Sequence, residues 1–511
     1  MIKSVMLLVT LCVLATGLAQ AAPHKKSNND QSYLNSSIPA GALNGVAYEI
    51  NGRVSGYNMD QYFRPASTEK VLTALAALEY LGPDYHFSTL LKVSSKSILS
   101  NNKLVVNNGV LNGDVEIEFQ GDPTLRTEHL LNLLRASLKQ SGINKINGDV
   151  YLNYGYFAGH NYATGWSWDD LTKCFTAPPS SVIIDGNCIS MQLTARKLGA
   201  APLVDFNQNL PIAIDVRNVE TVQPAEYYGG CSLEVDRNTN NVYVLSGCIP
   251  LQKGKTKPLG LSFAIQDPER WASGIIKNLL ERLDISVAGK IVLVRKSQGS
   301  FTTFATYNSV PLRTILATCL KRSNNLYADS IAKTIGSVYY KRPANYFMAV
   351  TAIRNILKKK GIELGNSTTI DGSGLSPHNY ITPRQMLNVL SYILKHDKEL
   401  DFISLLPKAG VSGTMSGRGS VMRAPLLKNV TAKTGTLNGV ANLAGFLTTQ
   451  NGKLVPFVYF MNNLSYDERT RKLLEAHKIA RPQYKHERKI LEQIYQDRKS
   501  TRLNSSHRCI S

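Results

Sequence analysis

Between about Phe87 and Lys296 the chain changes texture. On either side of that block, apolar residues recur at helical spacing. Val71, Leu72, Leu75 and Leu78 precede it, and "PLRTILATCLKR", "NNLYADSIAKTIG", "NYFMAVTAIRNILKKKG" and "TPRQMLNVLSYILKHD" follow it. Inside the block, "DVEIEF" and "GDVYLNY" alternate with period two, and "NNG" and "LNG" punctuate the runs. Few helices are expected there apart from "EHLLNLLRASLKQSG". A chain of 511 residues also exceeds the size at which one hydrophobic core keeps growing. The pattern predicts an α/β (α+β) multidomain protein, with one domain built from two pieces, 22–86 and 297–496. A large β-rich insertion, 87–296, separates them. Near the end, "VTAKTGTLNGVANLAGFLTT" and "KLVPFVYFMNN" read as neighbouring strands. A basic helix over roughly 467–495, interrupted by Pro482, either packs on that sheet or lies on a membrane surface.

The first 21 residues have a signal-peptide layout: Lys3, an apolar stretch from Val5 to Leu18, then Ala19-Gln20-Ala21. The stretch is short for a membrane span, so the mature protein is expected to be exported and soluble. At the other end, residues 497–511 lack periodicity, and their first eleven match the translation of a common sequencing adapter. They read as an assembly artefact or a disordered polar tail, and are set aside from fold reasoning. The formal charge of +21 remains strongly positive without these ends. Neither zinc-finger spacing nor an arginine-rich helix accompanies it, so nucleic acid is not the expected partner. For an exported protein an acidic cell wall is.

Seven cysteines include Cys12 in the leader and Cys509 in the tail. "CSLEVDRNTNNVYVLSGC" reads as a hairpin turning around Asn238–Asn241, which sets Cys231 opposite Cys248. Cys174 then pairs with Cys188, and Cys319 stays a buried free thiol. No C-x-x-C occurs, so no metal site is expected, and nothing implies a cofactor.

The chemistry is concentrated in three short motifs. Ser67-x-x-Lys70 opens an apolar helix expected from Ser67 to about Leu81. Ser323-x-Asn325 falls between two helices, and Lys433-Thr434-Gly435 falls on a strand. Each alone is common: Ser100 and Lys103 repeat the first spacing, and Ser27-Asn28-Asn29 repeats the second. Together and in this order they are the set found in penicillin-interacting serine enzymes. A serine hydroxyl needs a base, and a lysine one helical turn away lies on its side of the helix. Burial and a second cation, Lys433, lower the pKa of Lys70 enough to make it that base. Ser323 relays a proton to a leaving amine, and Asn325 orients Lys70 and a substrate amide. Lys433 and Thr434 suit a carboxylate. The amides of Ser67 and Thr436 suit an oxyanion. Gly435 leaves room for an extended peptide along the strand edge.

With "PASTEKVLTALAALEYLGPD", "GDPTL", "CFTAPPSSVIIDGNC", "DGSGLS" and "KTGTLNGVANLAGF", the sequence resembles the class C low-molecular-mass penicillin-binding proteins. These are exported D-alanyl-D-alanine carboxypeptidase/endopeptidases, and the long interval between Ser67 and Ser323 also fits them. The resemblance implies a β-lactamase/transpeptidase-like penicillin-binding domain, a β-rich second domain, and a third nested inside it at about 190–270. It implies a periplasmic serine peptidase acting on peptidoglycan stem peptides and their D,D-crosslinks, with β-lactams as covalent inhibitors. It also implies that Asp185 and Arg418 contact the diamino acid of the stem peptide, though a turn cap and a solvated loop arginine explain them equally. Asn438 departs from the glutamine expected there. The rival readings are a β-lactamase, which lacks support in any glutamate motif for aiming water, and a non-catalytic wall-binding or β-lactam sensor. Homodimerisation, peripheral association with membrane or wall, and the balance of carboxypeptidase and endopeptidase activity stay open.

Overall fold

The computed structural model describes residues 38–496 apart from 100, 102, 225, 227–229, 237–239, 253–256 and 477. The expected leader, 1–21, and the tail, 497–511, lie outside the described residues.

One antiparallel sheet of five strands organises the helical part. Its order is Val430–Leu437, Val440–Thr448, Leu454–Asn462, Leu43–Ile50, Arg53–Tyr57. The two sequence pieces therefore meet in the middle of the sheet, with Val46 opposite Tyr459. Side chains alternate across a strand. Val458 and Phe460 join a core with Leu72, Leu75, Ile331 and Leu387, while Phe457 and Tyr459 join Ile490, Leu491 and Ile494 on the other face. The last basic segment consequently packs on the sheet. It divides into Glu468–Glu475 and Pro482–Tyr495, with Pro482 in the first turn of the second helix, where its missing N–H costs nothing. The Lys70–Tyr80 helix is buried from Lys70 to Leu78, which makes it the central helix.

"DVEIEF" and "GDVYLNY" form Val115–Phe119 and Val150–Asn153 in a second five-stranded sheet. Its edge strand Phe301–Asn308 pairs with Ser88–Ser94, so this sheet takes in residues well past 296. Among the described residues the β-rich part also holds two three-stranded sheets and one four-stranded sheet. The expectation of few helices there misses Pro268–Arg282, which Asp267 caps through its side chain and Pro268 opens. Trp271, Ile275, Ile276 and Leu279 on that helix pack into the core of the β-rich part.

Both expected disulfides are present, with Cα separations of 5.4 Å for Cys174–Cys188 and 6.0 Å for Cys231–Cys248. Cys319 is free and buried. The hairpin register places Leu233 opposite Gly247, so Cys231 and Cys248 are one residue away from direct opposition. Among the described residues no helix is long and apolar enough to cross a membrane.

The β-rich part leans on the Asn325–Tyr340 helix. Lys333 donates to the Pro179 carbonyl at 3.0 Å, and Ser337 to the Tyr156 carbonyl at 3.1 Å. Lys333 is buried, and its ammonium lies 5.1 and 5.2 Å from the Phe157 and Tyr346 ring centroids. Burial lowers its pKa to about 8.

Candidate active site

The segment before Ser67 is pinned to the sheet by two asparagines. Asn442 donates to the carbonyls of Arg64 (2.8 Å) and Pro65 (3.0 Å), and Asn462 accepts from the Arg64 amide at 2.8 Å. The chain then turns through Ala66, held at φ +49°, a left-handed conformation uncommon for a residue with a side chain. Gly374 covers this turn at φ +77°, and a Cβ there would lie 1.9 Å from the Ala66 carbonyl oxygen. Ser67 sits in a single 3₁₀ turn, Ala66–Glu69, and the α-helix starts at Lys70 rather than at Ser67.

Three acceptors surround the Lys70 ammonium nitrogen. They are Ser67 Oγ at 2.9 Å, Asn325 Oδ1 at 2.7 Å and the Ser373 carbonyl at 2.6 Å. A neutral amine has two N–H donors and one lone pair. With Asn325 and Ser373 taking the two donors, the lone pair is left for the Ser67 hydroxyl proton. Burial lowers the Lys70 pKa against the opposing pull of Cys319, Asp329, Asp371 and Glu69. Lys433 is also fully buried. Its pKa falls well below the ordinary lysine value, first through desolvation and then through Lys70. It donates to Ser323 Oγ at 2.8 Å and to the Thr434 carbonyl at 2.8 Å.

Ser323 ends the Leu312–Arg322 helix in the left-handed conformation, φ +56°. Asn324 caps the next helix by accepting from the Tyr327 amide at 3.1 Å, which makes Asn325 the first helical residue. The expected interhelical turn therefore carries Ser323 to Lys433 and Asn325 to Lys70. Asn325 also donates to the Phe175 carbonyl at 2.8 Å, so the Cys174–Cys188 loop reaches the site.

The Val430–Leu437 strand borders the site as a sheet edge. Val430 accepts from Ala409 at 2.9 Å and Ala432 donates to Pro407 at 3.0 Å, both across the open edge. Backbone direction alternates along a strand, so the N–H and C=O of Thr434 and Thr436 face that same edge. Thr434 Oγ1 lies 2.9 Å from Thr414 Oγ1, and the Thr436 side chain is exposed. The room made by Gly435 is occupied, however. A Cβ there would lie 2.5 Å from the Pro65 carbonyl oxygen, so this glycine admits the chain's own turn before Ser67 rather than an extended ligand.

Asp185 and Arg418 are not brought together. Asp185 accepts from Thr127 Oγ1 at 2.5 Å and lines a cleft of about 730 Å³ with Asn278 and Arg282 in the β-rich part. Arg418 is buried and grips Glu487, with Nε to Oε1 at 2.7 Å and a second bond from Nη2 to Oε2. Its guanidinium is thus committed to an internal ion pair, which removes the basis for treating it as a free solvated loop arginine.

Sequence reasoning missed the layer beneath Lys70. Asp329, one turn along the helix from Asn325, accepts from the Gly372 (2.8 Å) and Ser373 (3.1 Å) amides. Asp371 accepts from the Gly374 and Ser376 amides, both at 2.7 Å, and from Trp166 Nε1 at 2.8 Å. These two carboxyl groups brace the "DGSGLS" loop, which aims the Ser373 carbonyl at Lys70. Burial, then Asp371, raises the Asp329 pKa to about 8. The available signal was Asp329 at i+4 from Asn325, on one helix face.

The D-Ala-D-Ala carboxypeptidase 3 (S13) family model matches residues 39–480. The chain is 40% identical over 472 residues to the D-alanyl-D-alanine carboxypeptidase DacB of Haemophilus influenzae, covering 92% of this chain and 94% of the relative. It is 26% identical over 437 residues to a D-alanyl-D-alanine carboxypeptidase of Actinomadura, covering 81% and 77%. The crystal structure of penicillin binding protein 4 (dacB) from Haemophilus influenzae superposes with a TM-score of 0.83 at 39% identity, over 91% of this chain and 99% of that one.

Proposed function

The chain belongs to the D-Ala-D-Ala carboxypeptidase 3 (S13) family, and from that premise we propose that it is a serine D,D-peptidase acting through an acyl-enzyme on Ser67. One observation carries the reading: Lys70 Nζ lies 2.9 Å from Ser67 Oγ while two fixed acceptors occupy its other hydrogens. In the reaction, neutral Lys70 takes the Ser67 proton as Oγ bonds to the carbonyl carbon of the penultimate D-Ala. The Ser67 and Thr436 amides hold the oxyanion. The C–N bond then breaks, and the departing amine receives the proton that Lys70 took, relayed through Ser323, which Lys433 holds, so that Lys70 is neutral again. Water next attacks the ester, with Lys70 as base, releasing the acid and restoring the serine. Lys433 and Thr434 hold the terminal carboxylate.

On this reading the substrates are D-Ala-D-Ala termini and D,D-crosslinks of peptidoglycan, and β-lactams acylate the same serine. A relative's crystal structure, penicillin binding protein 4 (dacB) from Haemophilus influenzae, is described as complexed with a novel beta-lactam. It matches at a TM-score of 0.79 and 37% identity, over 91% of this chain and 99% of that one, which supports the last point. The signal-peptide layout supports a periplasmic location. The reading also treats the β-rich part as an insertion in the catalytic domain. The pairing of Leu43–Ile50 with Leu454–Asn462 supports this, and the Phe301–Asn308 strand moves the return crossing from 297 to near Ser309.

Digestion of purified monomeric and crosslinked muropeptides, read by mass spectrometry, tests the activity. Loss of one D-Ala from pentapeptides and conversion of dimers to monomers is expected. Inertness toward both overturns the reading.

A further inference from the structure

The cleft past the end of the edge strand has a charge that the reaction itself does not use. It holds about 380 Å³, and Thr436, Asn438 and Gly439 line it together with Tyr466, Arg471 and Arg481. Both arginines are exposed, and among the described residues neither has an ion-pair partner. Glu468, the nearest acid in sequence to Arg471, is hydrogen-bonded to Lys472 at 2.7 Å and attracts Arg471 only through space, without an ion-pair contact. Asp467 caps the Glu468–Glu475 helix by accepting from Thr470 at 2.8 Å. Among the described residues no carboxylate lines the cleft. Arg64 adds a third cation nearby, with its Nη2 3.7 Å from where a Gly439 Cβ would stand.

The direction of the substrate follows from the proposed function, on which this inference rests. Lys433 and Thr434 take the carboxylate of the leaving D-Ala, and Thr436 takes the scissile carbonyl. A peptide along the open edge therefore runs its acyl side past Thr436, toward Asn438 and Gly439. We propose that this cleft is a carboxylate subsite for the acyl portion of the substrate, with Arg471 and Arg481 as its binding residues. The chemical class is a peptide bearing a free carboxylate on the acyl side of the scissile D-Ala. Guanidinium groups bind carboxylates through paired N–H donors, so a neutral amide in that place forfeits the charge-assisted bonds. In a stem peptide that carboxylate belongs either to the γ-linked glutamyl residue or to the diamino acid.

The test uses the full-length mature protein and four pentapeptides ending in D-Ala-D-Ala. One has both acyl-side carboxylates free, one is amidated at the glutamyl residue, one is amidated at the diamino acid, and one has neither carboxylate. For the wild type, amidating the engaged carboxylate raises KM by about tenfold, roughly five-fold or less for each arginine lost. The amidated peptide that shows the rise identifies the source. In Arg471→Gln/Arg481→Gln the preference collapses to within about twofold, while turnover of the peptide lacking both carboxylates and the rate of penicillin acylation stay unchanged. The proposal is overturned if the wild type cleaves all four peptides with equal KM, or if the double variant loses the same factor on each. If no peptide is cleaved at all, the peptidase reading falls and the subsite falls with it.

Discussion

Arg418 and Glu487 form an ion pair sealed between the C-terminal helix and the sheet, and Ser420 donates to the same carboxylate. The guanidinium stacks over the Tyr484 ring at 4.9 Å. Desolvation opposes the charge on Arg418, and Glu487 restores it. Removing one member of such a pair leaves the other buried and unpaired.

Arg418→Ala is therefore expected to lower stability by about 3–5 kcal/mol. Chemical denaturation measures this. Replacing both residues with apolar ones of similar volume, Arg418→Met with Glu487→Leu, recovers much of the loss. An Arg418→Ala protein of wild-type stability whose KM rises only for diamino-acid peptides would restore the substrate-contact role.

Penicillin should acylate Ser67 quickly and leave slowly. The β-lactam nitrogen stays tethered after its bond to the acyl carbon breaks, so it remains where the hydrolytic water must approach. Intact-mass measurements after a penicillin pulse are expected to show one adduct that persists for minutes, and none in Ser67→Ala of unchanged Tm. An adduct that vanishes within seconds, with drug consumed in large excess, identifies a β-lactamase.

Asp329 acts on Lys70 through the backbone it holds. Asp329→Ala frees the Gly372 and Ser373 amides and lets the Ser373 carbonyl drift from Lys70. The acylation rate is expected to fall by about 10- to 100-fold, since misplacing a catalytic group by about 1 Å costs on that order. Asp329→Asn keeps an acceptor toward both amides and retains most of the rate. Stopped-flow acylation of both variants decides the matter. Equal losses in the two would show that charge, and not loop position, is what Asp329 supplies.

Glu69 is buried, and burial followed by Asp371 raises its pKa from 4.5 to about 8. A raised carboxyl pKa favours folding while the group is protonated in both states. That contribution is present in full below about pH 4.5 and is lost as pH rises through about 8. Glu69→Gln cannot ionise, so its Tm relative to wild type should climb between pH 4.5 and 8. A flat difference across that window refutes the assignment.

What could be read in the sequence was local. Ser67 and Lys70 are one turn apart, and that spacing survives although the turn is 3₁₀ before it is α. The Val430–Thr448 stretch was legible as strand but not as two strands: it folds back at Asn438-Gly439 into Val430–Leu437 and Val440–Thr448, and near-continuous burial leaves no alternation to mark the break. The pairing of Cys231 with Cys248 followed from a turn, and the offset of one residue lay within its tolerance. What could not be read depends on distant partners. Ser373 reaches Lys70 across 303 positions and Phe175 reaches Asn325 across 150, and no periodicity encodes either contact. Arg418 looked like a loop residue because its own neighbours are small and polar, while Glu487, 69 positions away, decides its burial. Pro268–Arg282 escaped notice although its Asp-Pro-Glu start is a strong helix signal, because the surrounding strand texture dominated.

The sheet that carries the edge strand is closed by pairing early and late parts of the chain: the Asn44 side chain donates to the Phe460 carbonyl 416 positions later. Synthesis at about 5–20 residues per second separates those two segments by on the order of 20 to 80 seconds. For most of that interval Ser67 and Lys70 exist without Lys433 or the strand that presents it. The β-rich part, whose disulfides span only 14 and 17 positions, has every partner it needs long before. The order of the chain thus acts as a timer. On the proposed reading, the peptidase has no complete site until its last strand is in place.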